Sequence, residues 1–104
     1  MLFNTRFTLN VNVLWLEDCL GIAINQSTSS NQIALTTYYF WPRNDVWDQI
    51  KIELDSKPWI KETEKVDTLN LIAKILDVWQ STIDRKNIKY VTSRFKKLKI
   101  KGLV

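Results

Sequence analysis

The chain has 104 residues, enough for one domain that buries roughly 60 to 70% of the surface its unfolded form exposes. With 45% hydrophobic residues, one cysteine, no histidine and two glycines, the composition excludes a membrane-spanning apolar run, an internal disulfide, a structural zinc site and a glycine-rich phosphate loop. The net charge of +4 is divided unevenly: through Asp84 there are 7 basic and 11 acidic residues, and beyond it 8 basic and none acidic, a body of −4 followed by a tail of +8. Such a division points to an anionic partner, nucleic acid before membrane, because the tail has no long apolar face.

From Phe7 the pattern alternates, with Phe7, Leu9, Val11, Val13 and Trp15 on one side and Thr8, Asn10 and Asn12 on the other, which predicts a strand with one wet face. Glu17, Asp18 and Cys19 break it, and the apolar run Leu20 to Ile24 predicts the second arm of an antiparallel hairpin, with Gly21 marking a bulge. The polar stretch Asn25 to Gln32 reads as an exposed loop, because its side chains compete for backbone hydrogen bonds. A third strand is expected over about Ala34 to Phe40. It leaves the sheet at Pro42, which has no amide hydrogen to give.

Two helices follow. Asn44 or Asp45 suits an N-cap, Val46, Trp47, Ile50 and Leu54 form a buried stripe, and Lys57-Pro58 closes the first helix. After Trp59 and Ile60, which bridge the helices as an apolar staple, the second runs from about Glu62 to Asp84. Its expected stripe is Val66, Leu69, Ile72, Ala73, Leu76, Trp79 and Ile83. In the tail Ile88, Val91, Phe95 and Leu98 have helical spacing, whereas Lys97 to Lys101 alternates as a strand would; a short helix and then a short strand is the favoured reading. No internal repeat is visible. The expected architecture is therefore α+β: a three-stranded antiparallel meander, two helices packed on one face, and a basic C-terminal segment returning to the sheet. Residues 1–84 would form the core and 85–104 the basic segment.

Val13 to Glu17, Gly21 to Gln26, and Leu35-Thr36 through Tyr38-Tyr39-Phe40-Trp41-Pro42-Arg43 resemble the plastid-specific ribosomal protein three family. Asp45-Val46-Trp47, Glu53-Leu54, Ser56 to Ile60, Leu69-Asn70 and Trp79-Gln80 continue the family's spacing, so the resemblance runs from about Val13 to Gln80. The chain departs from the pattern at Thr37, at Lys61 in place of a serine cap, at Ser27 to Asn31 in place of loop glycines, and at Lys96-Lys97 in place of a Pro-Asp pair. The resemblance implies a structural constituent of a small ribosomal subunit that contacts 16S-type ribosomal RNA and neighbouring small-subunit proteins. It implies no catalysis, no cofactor, no metal, no membrane and no small-molecule substrate. An N-terminus without a transit-peptide pattern and heavy use of Lys, Ile and Asn, as an AT-rich genome gives, lead us to expect a plastid-encoded protein of the chloroplast stroma, with the cyanobacterial cytoplasm as the alternative.

The candidate RNA contacts are Arg43, Arg85, Lys86, Lys89, Arg94, Lys96, Lys97, Lys99 and Lys101, because lysine and arginine that neutralise phosphate release counterions. For Arg43 the competing reading is an ion pair with Asp45 or Asp48; for the tail it is a solvated end, or lysines guarding a strand edge. Trp15, Tyr38, Tyr39, Phe40, Trp41, Trp47, Trp59 and Trp79 could stack on bases, but core packing is the stronger expectation for most of them. Trp41 and Trp59 flank prolines and are expected to be more exposed, and Tyr38 and Tyr39 should face opposite ways. Two other function classes remain in view: a protein-interaction or translation-regulating module, and a small enzyme. Against the enzyme, Asp45 and Asp48, or Glu62 and Glu64, read as first-turn helix charges and Cys19 as a turn thiol with no histidine to activate it.

Overall fold

The hairpin expected from the first alternating run forms without interruption. In the computed structural model, which describes residues 7–82, residue 95 and residues 99–102, β1 (Thr8–Trp15) pairs antiparallel with β2 (Leu20–Ser27). The register runs from Trp15 opposite Leu20 to Thr8 opposite Ser27, and the turn is closed by Leu16 N donating to Cys19 O at 3.1 Å. Gly21 therefore marks no bulge. Its place in the fold is steric: a Cβ there would lie 2.7 Å from Phe40 Cε1 and 3.2 Å from Leu14 Cβ, so the missing side chain lets the Phe40 ring lie against the sheet.

The third strand differs from expectation. It is split into β3 (Gln32–Ala34), paired with Asn25–Ser27, and β4 (Tyr39–Trp41), paired with Leu20–Ile22, both antiparallel to β2. The cause lies at Leu35 and Thr36, whose amides both donate to Ile24 O while Ile24 N donates to Thr36 Oγ1. The threonine hydroxyl stands in for a ladder carbonyl, so the strand breaks with its hydrogen bonds still satisfied. Nor is Asn25 to Gln32 a loop throughout. Asn25 to Ser27 belong to β2, since Asn10 Nδ2 donates to Asn25 Oδ1 (2.8 Å) and Ser27 Oγ (2.9 Å), and the turn proper is Thr28 to Asn31.

The Trp41–Pro42 peptide is cis, and Asn44 secures the turn that follows by donating its N–H to Phe40 O and accepting from Phe40 N. Helix α1 (Val46–Asp55) starts at Asp45, whose Oδ1 accepts from Asp48 N, a cap worth about 1 kcal/mol. Helix α2 (Glu62–Ser81) starts at Lys61, which makes no side-chain cap bond, as expected of lysine where a serine would cap. The strand expected in the tail is present as β5 (Lys99–Gly102), parallel to β1 with Val13 opposite Ile100. The sheet order is β3-β2-β1-β5, with β4 also on β2. Helix α2, expected to reach Asp84, ends at Ser81, because the Thr82 backbone is extended (ψ 123°); of the helix expected at Ile88 to Leu98 only Phe95 is described, and it is not helical.

One face of the sheet carries the core. Val11, Val13 and Trp15 from β1 and Leu20, Ile22 and Ile24 from β2 meet Val46, Ile50 and Leu54 of α1, with Phe95 and Ile100 packed at the edge. The buried side of α2 is Thr68, Leu69, Ile72, Ile75, Val78 and Trp79. This corrects the expected stripe: Val66 is 46% exposed, Ala73 is exposed and Leu76 only half-buried. At about 100° per residue the observed face is turned by roughly 75° from the expected one, because α2 must meet α1 as well as the sheet.

Indole N–H groups fix how these layers sit. Trp79 Nε1 donates to Leu16 O (2.9 Å), joining α2 to the β1–β2 turn. Trp47 Nε1 donates to Leu69 O (3.1 Å), joining α1 to α2, and Trp59 Nε1 donates to Gln26 Oε1 (2.9 Å), joining the interhelical turn to β2. On the helices, Lys51 Nζ meets Asp55 Oδ2 at 2.9 Å. The hydrogen bond from Lys51 holds the Asp55 carboxyl below its ordinary range, and the same bond raises the Lys51 ammonium.

Two outcomes follow. Gly21→Ala should cost about 1 to 3 kcal/mol in urea unfolding, and the loss should shrink to a few tenths in a Phe40→Ala background; an equal loss in both backgrounds would show that the ring contact is not the cause. The small stabilisation from Asp55 is present above its unfolded pKa and lost as pH falls through its lower folded pKa, and the Lys51 side of the pair is lost as pH rises through its raised folded pKa. The difference in urea midpoint between the wild type and Asp55→Asn should thus be largest near neutrality and vanish at both extremes.

Candidate nucleic-acid interface

The two helices occupy one side of the sheet, so the residues that alternate to the other side form the largest surface left for a partner. On β1 these are Asn10, Asn12 and Leu14, and on β2 Gly21, Ala23 and Asn25, with Phe40 of β4 opposite Gly21. The Tyr38 ring leans on Phe40, centroids 6.2 Å apart and planes at 32°, and is 37% exposed. Tyr39, one position on, packs half-buried against the core, so the two tyrosines do face opposite ways.

At the far edge, β5 sets Lys99 opposite Asn12 and Lys101 opposite Leu14. Ile100 between them packs on the core side, and the two lysines hold the flanking register positions beside β1. Aromatic rings from β4 and lysine positions from β5 thus flank one amide-rich face.

The remaining sequence-derived candidates are distributed otherwise. Arg43 is exposed in the turn after β4, and among the described residues neither Asp45 nor Asp48 forms an ion pair with it. Arg85, Lys86, Lys89, Arg94, Lys96 and Lys97 lie outside the described residues. Trp15 (2% exposed) and Trp79 (4%) are core, Trp41 and Trp47 are half-buried against it, and Trp59 is 52% exposed on the helix side. The staple expected at Trp59-Ile60 is therefore carried by buried Ile60 alone.

Among the described residues a cavity opens on each side of the sheet. A cavity of about 450 Å³ lies on the helix side between Trp41, Trp47, Leu76 and Gln80, with Asp45 and Asp77 in its wall. Carboxylates repel phosphate, so this larger cavity has the wrong sign for a polyanion. A cavity of about 320 Å³ lies on the side opposite the helices and is lined by Asn12, Asn25, Gln32, Thr36 and Tyr38, with no charged side chain among the described residues. Sequence reading missed this second cavity. Asn10 and Asn12 were legible as the wet side of β1, but the contribution of Gln32 and Thr36 depends on the split third strand. Among the described residues no group of His, Cys, Asp and Glu is placed to hold a metal ion, and no helix is long and apolar enough to cross a membrane.

Comparison with known proteins accords with this geometry. Residues 35–82, from the end of β3 to the end of α2, match the family described as plastid and cyanobacterial ribosomal protein (PSRP-3 / Ycf65). Small ribosomal subunit protein cS23 of Gracilaria tenuistipitata var. liui is 43% identical over 91 residues, covering 88% of this chain and 90% of that protein. Probable small ribosomal subunit protein cS23 of Synechococcus sp. (strain JA-2-3B'a(2-13)) is 38% identical over 92 residues, covering 88% and 93%. Small ribosomal subunit protein cS23 of Cyanidium caldarium is 44% identical over 70 residues, covering 67% and 69%.

Proposed function

From the premise that this chain belongs to the PSRP-3/Ycf65 family of plastid and cyanobacterial ribosomal proteins, we propose that it is a structural constituent of the small ribosomal subunit, bound to 16S-type ribosomal RNA and to neighbouring small-subunit proteins. Proteins of this family are ribosomal components and not enzymes. The observation that carries the reading is the 43% identity over 88% of the chain to a small-subunit protein. Within a plastid or cyanobacterial setting, the finer placement is a plastid-encoded protein of the stroma, supported by the AT-leaning amino-acid usage.

The mechanism is passive. A rigid core, residues 1–84, fixes where cationic and aromatic groups stand, and the basic segment 85–104 neutralises phosphate. That segment is joined to the core through β5, whose register places Lys99 and Lys101 beside β1. Phosphate contacts of this kind set position and orientation, and their effect on translation is exerted through assembly and stability of the particle. Arg43 and the lysines and arginines from Arg85 to Lys101 are assigned to these contacts.

Salt-washed small subunits should retain the chain at one copy per particle, whereas loss at moderate salt would identify a loosely held interaction module instead. With purified 16S-type RNA, Lys99→Gln together with Lys101→Gln should lower the slope of log affinity against log salt by about 1.4 to 1.8, the share of two phosphates. An unchanged slope would remove β5 from the interface.

A further inference from the structure

We propose that the cavity on the helix-free face, walled by Tyr38 and edged by the carboxamides of Asn12, Asn25 and Gln32, receives one unpaired base of the RNA. The inference rests on the ribosomal reading above and adds to it a specific site and ligand class. Four features converge on it.

The first is size. A cavity of about 320 Å³ is at the low end of the roughly 300 to 1,000 Å³ spanned by small-molecule sites, suited to a single ring system and too small for a secondary-structure element. Its depth comes from small side chains: Ala23 and Ala34 line it, and a larger residue at either would fill it.

Stacking is the second. Tyr38 stands at the wall, 37% exposed, propped by Phe40, which in turn lies where Gly21 leaves room. A ring held in this way loses little freedom when a base stacks on it, and every base has a face to stack.

The third is hydrogen-bonding capacity. Asn25 Oδ1 is taken by Asn10, and the Thr36 hydroxyl both accepts from Ile24 N and donates to Thr37 O, so these atoms are committed. Among the described residues, Asn25 Nδ2 and the whole carboxamides of Asn12 and Gln32 have no hydrogen-bond partner. A carboxamide offers one donor beside one acceptor, which is the pattern of a base edge.

The fourth is charge. Among the described residues the lining holds no ionised group, which disfavours an isolated phosphate or a cation and favours a neutral, planar, polar ligand. Lys99, however, is the register partner of Asn12, one strand spacing or about 4.8 Å away. A strand of RNA whose phosphates run along β5 can therefore turn a base inward over β1 and β2. A neighbouring cation favours a chain with a phosphate at every unit over a peptide that carries only occasional carboxylates, so RNA is the favoured occupant.

The test uses the full chain, 16S-type RNA transcribed in vitro, and intact small subunits. Tyr38→Ala should weaken RNA binding by about 5- to 150-fold with the salt slope unchanged, and Tyr38→Phe, which keeps the ring, should bind within about twofold of wild type. Asn12→Asp, which brings a negative charge to the cavity edge, should also weaken binding, giving a second readout should Tyr38→Ala fail to fold. Ultraviolet irradiation of intact subunits should cross-link RNA to the peptide containing Tyr38. The inference is overturned if wild type binds the RNA while both Tyr38→Ala and Asn12→Asp bind equally well, an outcome that leaves the ribosomal reading standing. It is also overturned if these variants reduce retention in subunits but not binding to bare RNA, which would make the face a protein contact. Absence of any binding by wild type to subunits or RNA removes both proposals.

Discussion

Tryptophan rings that tie the helices to each other and to one face of the sheet are the constraint on which the other features depend. Each buried indole removes about 150 to 250 Å² from water, several kcal/mol at ~25 cal/mol per Å², whereas one N–H bond adds only about 0.5 to 1.5 kcal/mol net. Burial therefore supplies most of the energy, and the N–H groups supply direction. Trp79 on Leu16 O, Trp47 on Leu69 O and Trp59 on Gln26 Oε1 allow few other ways for α1 and α2 to lie on β1 and β2. Because the helices are committed to that face, no described element covers the opposite one.

That commitment also separates the charges. The acidic residues of the body fall largely on the helical layer: Asp45 and Asp77 wall its cavity, and Glu53 and Asp55 pair with Lys57 and Lys51. The sheet's other side presents amides and two aromatic rings, and β5 sets two lysines in register beside β1. A polyanion approaching the helical layer thus meets those carboxylates. Steering of this kind orients a small protein before any close contact is made.

Much of this was legible in the sequence, and the parts that were not share a cause. The period-two run from Phe7 to Trp15 specified β1 and its two faces, and Asp45 announced the start of α1, because both signals are local. The split of the third strand was not legible. It turns on the Thr36 hydroxyl reaching Ile24 N, a contact between residues 12 apart in sequence that propensity does not encode. Gly21 was read as a bulge for the same reason, since its neighbour in space is Phe40. On α2 the apolar residues outnumber the places facing the core, so periodicity alone could not choose between Val66 and Ile75; contact with α1 chose. As for the site, the lysine and aromatic candidates could be named from composition. That Lys99 and Lys101 stand beside Asn12 and Leu14 follows from the parallel pairing of β5 with β1, which no local pattern reveals.

The central claim is that this protein faces RNA with the helix-free side of its sheet and with β5. A density map of the intact small subunit, at a resolution that distinguishes side chains, tests it most directly. The account predicts a sugar-phosphate strand running beside Lys99 and Lys101, with α1 and α2 turned toward protein or solvent. Helices lying on the RNA, with the sheet's free face and β5 away from any nucleotide, would contradict it.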